Sequence, residues 1–387
     1  MKITQIIERP IRLESNISNA FVNFAEHTVS LVAIVTDSYI ANKPAIGISF
    51  NSIGRYAQSG ILRDRMIPRL LAAAPESLLQ EDGKLLSPEK VLACVLKNEK
   101  PGGHGDRAQA ASALELAVWD LNAKLLDEPA AHTISRHFGT PFSPKVPVYA
   151  AGGYYYPGED GKQLQRELEQ YKAKGFGRFK MKIGGASLDA DIRRIESALH
   201  VAGSGENLAV DANGRFCLEQ ALAYAQALEP YKLMWFEEAG DPLDFELNRA
   251  LADAYSGPLA TGENLFSHQD VKNLVLFGGA RPQLDIFQMD SGLSYGITEY
   301  ARMLRELESR GFSRAQAVPH GGQLLALHAV AGLGLGGCEV YPNIFQPLGG
   351  FGDETAVENG MVTLSDAPGF GLEQKSSLAQ EFTRMFH

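Results

Sequence analysis

Six ionisable residues, Lys182, Asp211, Glu237, Glu263, Asp290 and His320, recur through the second half of the chain at intervals of 29, 26, 26, 27 and 30 residues. Each sits at or just after a short apolar stretch: RFKMK, LAVDAN, LMWFEE, LATGEN, IFQMD and AQAVPH. An interval of that size holds one strand, one helix and the two loops between them. A polar residue at the end of each successive parallel strand predicts one face of a β/α barrel, where barrel enzymes assemble their sites. The series thus predicts an α/β fold and locates a candidate site on it.

The barrel does not account for the whole chain. A length of 387 residues favours two packed domains over one core. Near the N-terminus, ITQIIERPIRL, HTVSLVAIVTD and PAIGISFN alternate like strands of an antiparallel meander. The pattern then turns helical in ILRDRMIPRLLAA, in SPEKVLACVLKN, which opens with the helix-start residues Ser87, Pro88 and Glu89, and in GDRAQAASALELAVWDLNAKLL. These elements predict an α+β capping domain over residues 1–125. The barrel is expected over 126–345, with VPVYAAGG as its first strand and helices such as DGKQLQRELEQYKAKG and DADIRRIESALHVAG between strands. Residues 346–387 are expected to pack back on the cap and complete it.

A net charge of -10 argues against a nucleic-acid partner, which would favour a basic face. Three scattered cysteines, Cys94, Cys217 and Cys338, give neither a disulfide framework nor a zinc spacing, so a reduced, cytoplasmic setting is expected. The start MKITQIIERP carries no long apolar segment of the signal-peptide kind, and no apolar run reaches membrane-spanning length.

Three acids from consecutive strands, Asp211, Glu237 and Glu263, would repel one another on one barrel face unless a cation lay between them. Oxygen donors alone suit a hard ion such as Mg²⁺. The plain alternative for each is a helix cap. In Lys180-Met181-Lys182 the two lysines share one side of a strand and point into the barrel mouth. Two neighbouring ammonium groups lower each other's pKa, so one of them is expected to lose its proton near neutral pH and serve as a general base. The alternatives are solvated surface lysines or a Schiff-base lysine. His320 lies in VPHGG, and Asp290 ends the preceding strand. An Asp290–His320 hydrogen bond would fix the tautomer and favour imidazolium, making His320 an acid or base on the face opposite Lys182.

The motifs KMK, VDANG, WFEE, TGEN, QMD and PHGG stand in the order and spacing of the enolase superfamily. The Lys-x-Lys pair and late histidine resemble its mandelate racemase subgroup. The resemblance implies a modified (β/α)8-type TIM barrel under an α+β cap, with Mg²⁺ held by Asp211, Glu237 and Glu263. It also implies Lys182 as base, His320 paired with Asp290 as its partner, a small hydroxy acid or diacid as substrate, and a homo-oligomer. Within the subgroup, NEKPGGHGD, AAGGYYYPG, AVDANGRF, ATGENLFSHQD and FQPLGGF are similar to the tartrate dehydratase branch. That similarity implies substrate contacts from Asn19, Lys100, Tyr154 and Lys180. The branch carries Asn at the variable position of F-N-S-x-G-R-Y, where this chain has Ile53, flanked by Asn51 and Arg55. Two other activities use the same face: dehydration of another acid sugar, and racemisation or epimerisation. A metal-binding barrel without chemistry is a reading of a different class.

Overall fold

The computed structural model of the protein describes residues 1–156 and 162–386. Three antiparallel strands open the chain: β1 (Ile3–Arg12), β2 (Thr28–Ile40) and β3 (Lys43–Phe50). Ile40 pairs with Lys43, so Ala41 and Asn42 form a two-residue hairpin loop, both at positive φ (48° and 64°). That is the geometry whose twist matches the flanking strands. The long helix Asp106–Leu125 packs across β2 and β3, buried on every side along most of its length. Its approach is close: a Cβ at Gly47 of β3 would lie 2.0 Å from Ala117 O.

The barrel runs through β4 (Lys145–Gly152), β5 (Phe179–Lys182), β6 (Leu208–Asp211), β7 (Trp235–Glu237), β8 (Leu259–Thr261) and β9 (Ile286–Phe287), each parallel to the last. The seventh stave is reduced to one parallel bridge, Phe287 to Ala317. The eighth, β10 (Cys338–Val340), pairs in parallel with β4 and closes the ring. Helices follow each of the first seven staves. The first is Lys162–Ala173. Asp160 and Gly161, predicted to open it, lie outside the described residues, as do Pro157 and Gly158 of AAGGYYYPG. The hairpin β11 (Val357–Glu358) and β12 (Met361–Thr363) adds antiparallel to the start of β4.

Buried polar side chains of the long helix tie cap, barrel and tail together. Glu115 accepts from Trp119 Nε1 (2.8 Å), Ile297 N (3.0 Å), Thr298 N (2.9 Å) and Thr298 Oγ1 (2.6 Å), so it caps the barrel helix Ile297–Glu308. Asp120 accepts from Ile48 N of the cap sheet and Phe370 N of the tail, both at 2.8 Å. No described helix is long and apolar enough to cross a membrane.

Candidate active site

Parallel register sets the first half of the site. Lys182 pairs with Asp211, and Asp211 with Glu237, so the last residues of β5, β6 and β7 stand side by side. All are buried. Lys182 Nζ donates to Asp211 Oδ2 at 2.5 Å. Lys180 Nζ lies 2.6 Å from Glu237 Oε1, 2.8 Å from Glu339 Oε1 and 3.5 Å from Asp211 Oδ2. Glu237 Oε2 also accepts from Trp235 Nε1 (2.8 Å) and Gln288 Nε2 (2.9 Å). The ring of Tyr154 lies beside Lys182, 5.4 Å from Nζ to centroid.

The second half centres on His320. Its Nδ1 is 3.0 Å from Asp290 Oδ2, its Nε2 is 2.9 Å from the Tyr341 hydroxyl, and Glu263 Oε2 lies 3.7 Å from Nε2. Asp290 also accepts from Ser52 Oγ (2.6 Å) on a cap loop and from Gly292 N (2.7 Å). The cap thus reaches the histidine through the residue that orients it.

Charge follows from these contacts. Burial works against the imidazolium of His320, but Glu263, the Asp290 hydrogen bond and Glu339 outweigh it and push the pKa up to about 9. Burial also works against Lys182, and Lys180 adds to that effect, yet Asp211 prevails and holds the ammonium above its usual range. The expectation that two adjacent lysines would leave one neutral is therefore corrected for this arrangement: the carboxylate sits closer to Lys182 than the sequence could show. Asp211 is held well below the carboxylate range by the same two lysines, against burial. Glu237 is driven upward by burial and by Asp211 beside it.

The predicted residues are not all gathered on one point. Asp211 and Glu237 share Lys180, whereas Glu263 sits with His320 and Asn264. Among the described residues, no three acid, His or Cys side chains close on a common metal position. The donor chemistry nevertheless fits a hard divalent cation. Asp211, Glu237 and Glu263 offer oxygen only, and lysine ammonium groups stand among the first two as the counter-charge. Asn19 Oδ1 accepts from Phe21 N (2.8 Å) and Val22 N (2.7 Å), so it is engaged in its own turn. Ser18 O accepts from Tyr155 N (3.2 Å), which sets that turn against the strand-end segment carrying Tyr154. Lys100 is exposed on a loop lining a groove of about 690 Å³ with His104, Arg107, His268 and Tyr295. Among the described residues no hydrogen bond or ion pair joins Lys100 to the Lys182–His320 cluster.

Glu339, on the eighth stave, was not read from the sequence. It is fully buried, pairs with Lys180 and accepts from Gly321 N at 3.0 Å. The available signal was a lone acid closing the apolar run LLALHAVAGLGLGGCEV. Glu238 was also missed. It is buried at positive φ (42°), shares Asn264 with Glu263, and is pushed well above the carboxylate range by burial and then by Glu263. Asn51, beside Ile53, serves the cap: it accepts from Ser30 N (2.7 Å) and donates to Gln109 Oε1 (3.0 Å).

A cap over a barrel of eight staves, with acids, lysines and a histidine at the strand ends, defines a class. Residues 163–377 match the enolase C-terminal domain-like family, and the chain belongs to that family and so to the enolase superfamily. Among its relatives is L-talarate/galactarate dehydratase of Salmonella typhimurium, 29% identical over 285 residues, which covers 73% of this chain and 67% of that one. Arabinonate dehydratase of Saccharolobus solfataricus is 24% identical over 373 residues, 94% of this chain and 93% of its own. The crystal structure of a racemase from Streptomyces coelicolor with bound magnesium superposes with a TM-score of 0.76 at 24% identity, over 97% of this chain and 98% of the other, and shows the shared fold.

Proposed function

We propose that the protein is a Mg²⁺-dependent dehydratase of hydroxy diacids or acid sugars, a carbon–oxygen lyase, with D-tartrate as the leading substrate. One observation carries the reading. Lys182 ends the second stave and His320 follows the seventh, with Asp211, Glu237 and Glu263 at the ends of the three staves that come after Lys182. The similarity to two acid-sugar dehydratases supports it.

Asp211, Glu237 and Glu263 would hold the metal. Bound there, Mg²⁺ would supply Lewis-acid stabilisation of the charge that develops on the substrate carboxylate. Lys180, buried beside them, adds a fixed positive charge. Lys182 takes the proton α to that carboxylate. Burial and the adjacent Lys180 favour its free amine, against the hold of Asp211 on its proton. The C–H pair becomes the C=C bond, the bond to the β-hydroxyl breaks, and His320 donates the proton with which it leaves as water. The enol tautomerises to a 2-keto acid. From tartrate the products are oxaloacetate and water.

The test is a screen of tartrate stereoisomers, aldaric acids and aldonic acids with Mg²⁺, detecting 2-keto acid with semicarbazide and proton exchange by NMR. Keto acid from D-tartrate supports the narrow assignment. Keto acid only from longer acids leaves the dehydratase reading and removes tartrate. Racemisation or epimerisation without keto acid replaces it with a racemase.

A further inference from the structure

We propose that Arg55, on the cap loop over His320, binds the second carboxylate of the substrate and so selects diacids over the corresponding monoacids. This rests on the dehydratase reading of the site.

The loop reaches the histidine directly: a Cβ at Gly54 would lie 4.0 Å from His320 Cε1. Its two neighbours face different demands. Ile53 is buried in the apolar core and presents no polar group. Arg55 is half-buried, its guanidinium 5.0 Å from the centroid of Phe266, which backs it on one side. Arg55 Nη2 donates to Asn264 Oδ1 at 3.2 Å, and the amide of Asn264 donates to Glu263 and Glu238. A short chain of contacts thus places the guanidinium on the side of the site where Glu263 and His320 stand.

Two features of Arg55 call for a ligand. Its Nε is buried without a hydrogen-bond partner, and its link to the acids Glu263 and Glu238 runs through the neutral amide of Asn264. The surroundings are otherwise rich in acids, so a cation linked to them through an amide is a place for an incoming anion. The guanidinium fork matches a carboxylate with two parallel hydrogen bonds, and its packing on Phe266 pre-sets the plane. A diacid would therefore place its reacting carboxylate at the metal acids and its far carboxylate at Arg55. An aldonic acid would bring a hydroxyl there, which leaves the charge unmatched.

The alternative role is positioning: Arg55 holds Asn264, and Asn264 holds Glu263. The two roles separate in kinetics. Arg55→Gln and Arg55→Lys should be assayed on galactarate against galactonate, and on tartrate. Diacid recognition predicts a 10- to 100-fold drop in the galactarate-to-galactonate ratio of kcat/KM for Arg55→Gln, carried by KM, with partial recovery in Arg55→Lys. An equal loss on both acids, or a loss confined to kcat, would overturn it and leave the positioning role. Calorimetric titration of both acids into Lys182→Ala protein, with and without Arg55→Gln, removes the dependence on turnover. If the wild-type protein dehydrates none of the acids but the affinity ratio still falls, the dehydratase reading fails and Arg55 stands. An unchanged ratio, or no binding of either acid, sinks the inference.

Discussion

Asp290→Asn tests the histidine without removing it. The carboxylate takes three donors: His320 Nδ1 and Ser52 Oγ at Oδ2, and Gly292 N at Oδ1. An asparagine has one acceptor oxygen in place of two, so its NH₂ must face either the Gly292 N–H or the histidine and serine donors. The fold is tied down on both sides, by Ser52 from the cap and by the 290–292 turn, so the main effect falls on the imidazolium. A hydrogen bond to a charged group contributes about 1.5–3 kcal/mol, which corresponds to about one to two pKa units. His320, at about 9, should therefore drop to about 7–8 in the variant. The sign follows from its role. In the proposed role His320 acts in its acid form, so activity should be lost as pH rises through the His320 pKa, and the alkaline limb of kcat/KM should move down by the same interval. Stability has the same sense. A histidine raised from 6.5 to about 9 contributes stability in full below 6.5 and loses it as pH climbs through 9. The assay is the pH profile of keto-acid formation, together with an imidazole NMR titration in EDTA-treated protein. An alkaline limb and a titration that both stay in place would refute the claim that Asp290 holds the proton on His320.

Lys182→Ala should lower kcat by about 10²–10⁴-fold and retain the wild-type far-UV circular dichroism; near-normal turnover would remove it as the base. Treatment with EDTA should abolish turnover and added Mg²⁺ restore it, and full activity in metal-free buffer would contradict the carboxylate site. Gly47→Ala should destabilise the fold by about 1–3 kcal/mol or more, because the new methyl meets the Ala117 carbonyl and Leu121 Cβ (2.6 Å) on a buried helix; an unchanged urea midpoint would mean the sheet and helix can part. Glu115 is lifted by burial from 4.5 to about 7 despite its four donors, so its contribution to stability is greatest below 4.5 and is lost as pH rises through 7. Glu115→Gln should flatten that fall in urea unfolding measured between pH 4.5 and 7, and an identical slope would show that Glu115 does not titrate there.

The parts of the fold that repeat were legible in the sequence, and the parts that depend on long-range closure were not. Lys182, Asp211 and Glu237 end strands of one parallel register, so equal spacing located them. Glu339 broke the pattern, because the seventh stave shrinks to the bridge at Ala317 and the following helix, Leu324–Leu333, is buried on every side. Its apolar run merges with that of β10, and the interval from His320 falls to 19 residues. Ser52 meets Asp290 across 238 residues of chain, a contact no local periodicity announces. The lysine pair shows a different limit. Composition revealed two like charges, but their protonation depends on the distance to Asp211, which only the folded register sets.

That register also explains why so acidic a site needs cations. Asp211, Glu237, Glu238 and Glu339 are buried and Glu263 is half-buried, against two lysines and one histidine. Such an excess cannot be ionised throughout in a low-dielectric interior. Protons and metal are the two available remedies. The upward drive on Glu237 and Glu238 is the proton remedy, and it comes first from burial and then from the neighbouring carboxylates Asp211 and Glu263 respectively. A divalent ion held by Asp211, Glu237 and Glu263 would relieve the same repulsion by offsetting their charge. Asp211 would then divide its charge between that ion and Lys182 Nζ, and would hold the lysine's proton less tightly. The register that crowds the carboxylates together is therefore also the one that sets how tightly Lys182 keeps its proton.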